Sequence, residues 1–433
     1  MVTLARHPLV GVLTAQACTL SANRVLTVAV PWLLLTATDD VRQAAVQAGV
    51  VVLCQTAPYA LMQWLSGPLL DRIGPRRISV AGDLTAAALL TVLAFLPAAP
   101  IWLIAIVLAG VGAADGPATA AKRLLIPAAA TAAGQPITRG AGFATALERA
   151  STAFGPALAG WLIAIVGGAP ALWVSAAFLG AAAAIATLAV ATPAPARHQV
   201  TDRYATRLRD GARYLGRNPS LRALAAMFLV TNLLDQALIS ILLPVWARTG
   251  GHSPAVVGIA LSAAGATAVG TALLTAWLGT RLPRRTTYLI AVVISGPTRI
   301  LVLALGWPPE AVVAVWAVAG LGSGVFNPLL EALQIESTPS VLRGRVLTLI
   351  TALAWAGIPV GGLFGAGLLA SAGLSTALWI CGAAYLAAVL YPGWRVNWHP
   401  TQKSIVPAQR VPAPTRWRIS HRSRHTALRV PAS

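Results

Sequence analysis

Charge is scarce in this chain. Only 10% of the 433 residues are charged, against 57% that are apolar, and no more than 12 are acidic. A charged fraction so far below the ~25% usual for soluble domains excludes an ordinary globular protein. Cysteine is almost missing. Cys18, Cys54 and Cys381 fall inside apolar runs, and an odd number of such thiols without ligand spacing excludes a disulfide framework and a zinc site. Their expected role is that of small hydrophobes. There is no G-x-x-x-x-G-K-[ST] loop and no nucleotide fingerprint, so ATP-driven pumping is not expected of this chain. The histidines, His7, His198, His252, His399, His421 and His425, all lie outside the apolar runs. They form no Ser-His-Asp set with the membrane acids, so the chain reads as a non-enzyme with no cofactor and no metal. No short apolar region ends in a small-residue cleavage site, and the first run is expected to be a retained span.

The chain does have many apolar runs of membrane-crossing length. A bilayer core of ~30 Å takes about 20 helical residues. Twelve stretches meet that need: 10–36, 44–66, 78–98, 101–121, 139–166, 171–192, 222–247, 254–280, 286–306, 311–335, 345–370 and 375–394. The prediction is an all-α membrane protein. The net charge of +20 would suggest nucleic acid in a soluble protein, but topology accounts for it. With both termini on one side, 27 of the 32 basic residues face that side, and only Arg42 and Arg248 face the other. This is the positive-inside asymmetry, which makes the crowded face and both termini cytoplasmic and the number of crossings even. Membrane lipids are expected partners; nucleic acid is not.

The apolar pattern stops between residues 193 and 221, with six spans before and six after. Residues 1–192 are therefore read as one bundle, 193–221 as a cytoplasmic linker and 222–394 as a second bundle. Within the linker, Tyr204, Leu208, Ala212 and Leu215 recur at helical spacing among five arginines, as expected of a short helix at the lipid headgroups. Three echoes relate the halves. "VPWLLL" at Val30–Leu35 answers "LPVWA" at Leu243–Ala247, "PRR" at Pro75 answers "PRR" at Pro283, and "AGVG" at Ala109 answers "AGLG" at Ala319. Each pair falls at a corresponding place, so a duplicated six-span unit is expected, with a substrate site near midplane between the copies. The tail, 395–433, carries eight basic residues, five prolines and no acid. Disorder and attraction to anionic headgroups are expected of it.

The stretch "SGPLLDRIGPRRISVAGD", Ser66–Asp83, concentrates charge and helix-disfavouring residues between two apolar runs. Gly67, Asp71, Arg72, Gly74, Arg76 and Arg77 have the spacing G-x3-D-R-x-G-x-R-R. This resembles motif A of the major facilitator superfamily, and residues 8–394 resemble its drug-, macrolide- and siderophore-exporting branches. The resemblance implies two pseudo-symmetric six-helix bundles in a bacterial cytoplasmic membrane. It also implies a latch: Asp71 at the positive N-terminal end of the eleventh span, held by the arginines, stabilising the state closed to the cytoplasm. The fifth span, "GFATALERASTAFGPALAG", resembles motif C of exporters through Gly142, Ser151, Gly155, Pro156 and Gly160, with Ser151 and Ala159 where that motif has glycine. Small residues allow close helix contact and Pro156 bends the helix, so a seal between the halves is expected. The fourth span lacks the arginine of motif B; Ile106 stands at its place.

Ionisable groups inside spans are costly and mark function by default. Arg24, Asp115, Glu148, Arg149, Asp235, Arg299 and Glu331 qualify. The resemblance puts Arg24, Asp115 and Asp235 on cavity-lining spans. If each of the three cations pairs with one of the four acids, one carboxyl is left over, and a lone carboxyl in low dielectric can carry a proton near neutral pH. The alternative is that all seven serve as structural pairs between helices. Glu148 or Asp235 is the expected coupling acid. Trp32, Tyr59, Trp64, Trp246, Phe326 and Trp355 are aromatics of cavity-type spans. The expectation is a secondary transporter that exports small amphipathic molecules (drug, macrolide or siderophore) by proton antiport. Uptake by the same fold, or a non-transporting membrane sensor or scaffold, are the alternatives.

Overall fold

A computed structural model of the chain describes residues 8–96, 99–189, 204–278, 283–339, 342–396 and 398. The tail assigned to 395–433 lies outside them except for Arg395, Val396 and Trp398, as does most of the first part of the linker. Thirteen helices run through the described residues: α1 Pro8–Thr36, α2 Val41–Ile73, α3 Pro75–Ala94, α4 Ile101–Ala132, α5 Ile137–Val166, α6 Gly168–Ala189 and α7 Tyr204–Arg217. They continue as α8 Pro219–Thr249, α9 Pro254–Leu278, α10 Arg284–Ala304, α11 Pro309–Glu336, α12 Arg343–Ala372 and α13 Leu374–Arg395. All but α7 are long and apolar enough to cross a bilayer.

The chain marks the helix ends with identifiable residues. Asp40 caps α2, its carboxylate accepting from the Arg42 and Gln43 amides at 2.9 and 3.2 Å, and Asn218 caps α8 by accepting from the Leu221 amide at 3.1 Å. Such caps satisfy donors that a helix start leaves open. Gly74 has φ +91° and reverses the chain between α2 and α3, a conformation costly for any residue with a Cβ. Gly167 and Gly373 do the same after α5 and α12.

Helices α1–α6 pack as one bundle and α8–α13 as the other. In each bundle the fourth span presents alternate glycines to neighbouring spans. A methyl on Gly110 would lie 2.8 Å from Leu89 of α3, while Gly112 and Gly116 meet backbone of α2 at Gln55 and Tyr59. In the second bundle Gly322 meets α10 at Ala291, and Gly320 and Gly324 meet α9 at Ala264 and Ala268. The "AGVG" and "AGLG" echo is thus a shared packing device: backbones approach closely where no Cβ intervenes.

Two boundaries differ from expectation. Helix α2 continues to Ile73, so Gly67, Asp71 and Arg72 belong to its last turns and the connection to α3 is Gly74 alone. Helix α4 continues to Ala132, which puts Lys122 and Arg123 inside a helix and not in a loop. Both segments carry charge near a helix end, so a hydropathy reading stops too early. Helix α7 also departs in detail. Ala212 is exposed, whereas Gly211 and Leu215 are buried; Leu215 packs with Leu221, Ala225, Val346 and Ile350. The Tyr214 hydroxyl donates to the Ser337 carbonyl at 2.9 Å. This helix is fastened to the second bundle on the face that carries Arg72, Arg76, Arg77, Arg284 and Arg285, called the basic face below.

Candidate functional site

A cavity of about 540 Å³ lies between the bundles, walled by α1, α2, α4 and α5 on one side and by Trp355, Ile358 and Pro359 of α12 on the other. Its size falls in the range of small-molecule sites. A further cavity of about 350 Å³, sharing Arg123 and Trp355, extends it between α2, α4 and α12 past Leu70 and Thr351 toward the basic face.

The opposite face is sealed. There α2 meets α12, where a methyl on Gly49 would sit 2.8 Å from Ala366 Cβ. The Arg248 guanidinium reaches across to donate to the Thr38 carbonyl at 2.6 Å. Helices α5 and α9 form the second seam: Gly160 faces the Pro254 carbonyl and Gly258, and the Ala157 amide donates to Ser262 Oγ at 2.7 Å. Further in, Gly265 meets Ala153 of α5. Nearer the basic face this contact ends, and Gly67 and Gly142 border open space.

Among the motif C-like residues, then, Pro156 and Gly160 lie in the seam. Gly155 instead makes room for Arg24, whose Cγ lies 2.6 Å from where a methyl would be. Ser151 Oγ is buried without a hydrogen-bond partner among the described residues, and Gly142 contacts nothing across the gap. The motif A residues sit at the basic end. Asp71 is exposed and makes no hydrogen bond or ion pair among the described residues, so its expected docking on α12 is not made in this conformation. The physical reason is separation: the bundles are apart on this face. Arg76 donates to the Thr187 carbonyl of α6, tying the α3 start to its own bundle.

Inside the cavity, Arg24, Asp115, Glu148 and Arg149 all contribute to the wall. Asp115 is 7% exposed and accepts from Asn23 Nδ2 at 2.8 Å and Thr119 Oγ1 at 3.2 Å. No cation stands within ion-pair distance of it among the described residues. Glu148 is wetter: its side chain is 40% exposed and lies 3.5 Å from Arg123 and 3.4 Å from Gln16. The Arg24 guanidinium donates to Thr152 Oγ1 at 2.8 Å. Tyr59 and Trp355 supply the aromatic surface.

Asp235 is elsewhere. It borders a separate cavity of about 340 Å³ within the second bundle, and Arg299 pairs with its carboxylate. Helix α10 breaks at Gly296–Pro297, and the Tyr385 ring fills the space a Gly296 side chain would take. Arg299 follows directly, donates to Tyr385 Oη at 3.1 Å and lies over the rings of Trp316 and Tyr385. Asp235 is therefore paired with a cation in this conformation. Phe326 lines this cavity; Trp246 is buried against His252, and Trp64 lines the basic-side extension. Ile106 is 62% exposed, so its position faces away from the cavity altogether.

The count of membrane charges also changes. Asp83 on α3 and Lys122 on α4 form an ion pair of 2.7 Å with side chains 0% and 3% exposed, and Thr19 of α1 donates to the same carboxylate at 3.4 Å. Sequence reasoning misses both. It takes Asp83 as the end of the motif A stretch and Lys122 as part of a loop. The available signal is that Lys122 is one of only two lysines in the chain, and that the apolar run resumes at Leu124 after Arg123.

Two six-helix bundles around a polar chamber, closed on one face and parted on the other, define a membrane transporter. The chain belongs to the major facilitator superfamily, whose sequence profile matches residues 12–250 and again 225–429. It is 30% identical over 382 residues to the multidrug efflux pump Tap of Mycolicibacterium fortuitum, covering 86% of this chain and 92% of that protein. Against the Tap pump of Mycobacterium tuberculosis strain H37Rv identity is 32% over 379 residues, covering 85% and 88%. In three dimensions it is similar to the nucleoside transporter NupG, with TM-score 0.71 and 14% identity over 89% of this chain and 98% of that one.

Proposed function

We propose that this chain exports small amphipathic molecules in exchange for protons, by alternating access of the cavity between its bundles. The observation that carries the reading is Asp115. It is a largely buried carboxylate at the wall of the chamber, and among the described residues its hydrogen bonds come from neutral donors. A site of this kind can exchange a proton for cargo, and it takes over the role expected of Glu148 or Asp235. The Tap relatives, named multidrug efflux pumps, supply the direction and the cargo class. In this proposal the basic face is cytoplasmic in a bacterial inner membrane, as the positive-inside rule requires, and the chamber is captured open to the cytoplasm. Asp71 then engages α12 only after the basic faces close, and the α5–α9 seam around Pro156 and Gly160 keeps the chamber from leaking. The test is a toxicity and efflux panel comparing expressing and non-expressing cells, with and without a protonophore. Accumulation that falls on expression and recovers with the protonophore supports the reading. Protonophore-insensitive efflux removes the antiport, and proton-driven accumulation would mean uptake.

A further inference from the structure

Gly155, one of the motif C-like glycines, takes no part in the α5–α9 seam because it faces α1. A methyl on it would lie 2.6 Å from Cγ and 2.9 Å from Cβ of Arg24. Those atoms stand at the root of the side chain and cannot swing aside as a tip can, so a larger residue at this position displaces Arg24. The guanidinium then reaches Thr152, about one turn earlier on α5, and donates to its Oγ1 at 2.8 Å. The Thr152 hydroxyl gives its own proton to the Glu148 carbonyl at 2.9 Å, which leaves its lone pairs for Arg24. Gly155 admits the stem and Thr152 fixes the head.

The charges around the chamber do not cancel. Four cations, Arg24, Lys122, Arg123 and Arg149, stand against three acids, Asp83, Asp115 and Glu148. Lys122 pairs with Asp83 at 2.7 Å and Arg123 with Glu148 at 3.5 Å. Arg24, Arg149 and Asp115 remain, and no ion pair joins them among the described residues. The balance is positive by a single charge. Arg149 is exposed, where water screens it, and Asp115 has its bonds from Asn23 and Thr119. Arg24 is only half-buried, borders the chamber, and has Thr152 as the one hydrogen-bond partner of its guanidinium among the described residues. Most of its five N–H donors are therefore open, in a wall that also carries the rings of Tyr59 and Trp355.

We propose that Arg24 binds an acidic group on the cargo, and that the chamber takes aromatic carboxylic acids, amphipathic anions and not amphipathic cations. This deepens the export reading and rests on it. The planar fork of a guanidinium matches the two oxygens of a carboxylate, and the rings of Tyr59 and Trp355 receive the apolar body. One negative charge on the cargo cancels the surplus of the chamber, and Asp115 is left to the proton. Gly155 and Thr152 are the positioning residues, acting only through the place they give Arg24.

The test compares three probes by calorimetry at neutral pH on detergent-purified full-length protein: naphthylacetate, its neutral amide, and the cation naphthylmethylammonium. Wild type is expected to bind the acid about tenfold more tightly than the amide, as hydrogen bonds between two charged groups imply, and the cation most weakly. Arg24→Gln brings acid and amide to near parity while amide binding persists, which shows that the chamber still forms. Arg24→Lys keeps the charge without the fork and gives an intermediate ratio. Gly155→Ala weakens the acid severalfold and changes the amide little, whereas a glycine needed only for helix packing would weaken both together. Arg149→Gln keeps the preference for the acid. Equal binding of acid and amide by wild type, a preference for the cation, a preference that survives Arg24→Gln, or binding of none of the three would each overturn the proposal. Efflux measured in cells separates the two levels: protonophore-sensitive efflux by a protein indifferent to the acid removes the Arg24 site alone. Absence of such efflux in wild type removes the export reading.

Discussion

At the scale of single residues, the membrane acids of the two bundles have opposite meanings. Asp235 and Arg299 hold α8 to α10, with Tyr385 of α13 as a third point. Removing one partner strands a charge, which costs about 3 kcal/mol or more, whereas removing both is far milder. Asp235→Ala is therefore expected to lower the thermal midpoint of the purified protein clearly, and Asp235→Ala/Arg299→Met to recover most of the loss. Asp115 behaves differently because no cation among the described residues forms an ion pair with it. Asp115→Asn can keep the bond from Asn23 on its Oδ1 and reverse the other, its Nδ2 donating to Thr119 Oγ1, so the thermal midpoint should stay near wild type while protonophore-sensitive efflux is lost. Counting charges along the chain finds both acids but does not show their partners. Hydropathy tells which residues enter the membrane; pairing depends on which helix faces which, and the break at Gly296–Pro297 that swings Arg299 toward α8 is a tertiary fact.

At the scale of elements, the seam between α5 and α9 joins the halves through backbone contact. Gly160 and Gly258 pass so closely that a methyl added to either would lie 3.0 Å from the other's Cα. Gly258→Val would overpack this crossing, at a cost of about 1–3 kcal/mol. The expected outcome is correctly inserted protein, by protease protection, with efflux reduced severalfold. Gly142→Ala, on α5 but beside open space, should leave efflux unchanged and serves as the control. The motif C-like spacing is legible in α5; its partner "GIALSAAG" on α9 is not, since nothing in a run of small apolar residues says which neighbour they admit.

At the scale of the whole molecule, the two faces have different clasps. The opposite face is held by Arg248 donating to Thr38 and by the α2–α12 approach at Gly49. Arg248→Ala should weaken that closure, seen as faster labelling of a cysteine placed at Thr27 in the chamber by an impermeant thiol reagent added from that side. On the basic face, Asp71→Asn removes the carboxylate that the opposing α12 start would receive once the bundles close. Its expected effect is slower turnover with substrate binding retained. Cysteines replacing Arg76 and Arg285 must react from the same side of the membrane, because tandem copies share their orientation.

From the sequence alone came the twelve crossings, the internal duplication, the basic face and the motif residues. These follow from composition and local spacing, which water and lipid impose on each segment separately. Only the tertiary structure decided that Asp83 and Lys122 are partners, that Asp235 pairs with Arg299, and that Asp115 meets Asn23 and Thr119 at the chamber wall. Those outcomes depend on which helices approach closely enough for a charge on one to meet a charge on another, and glycines scattered over several helices set those distances jointly.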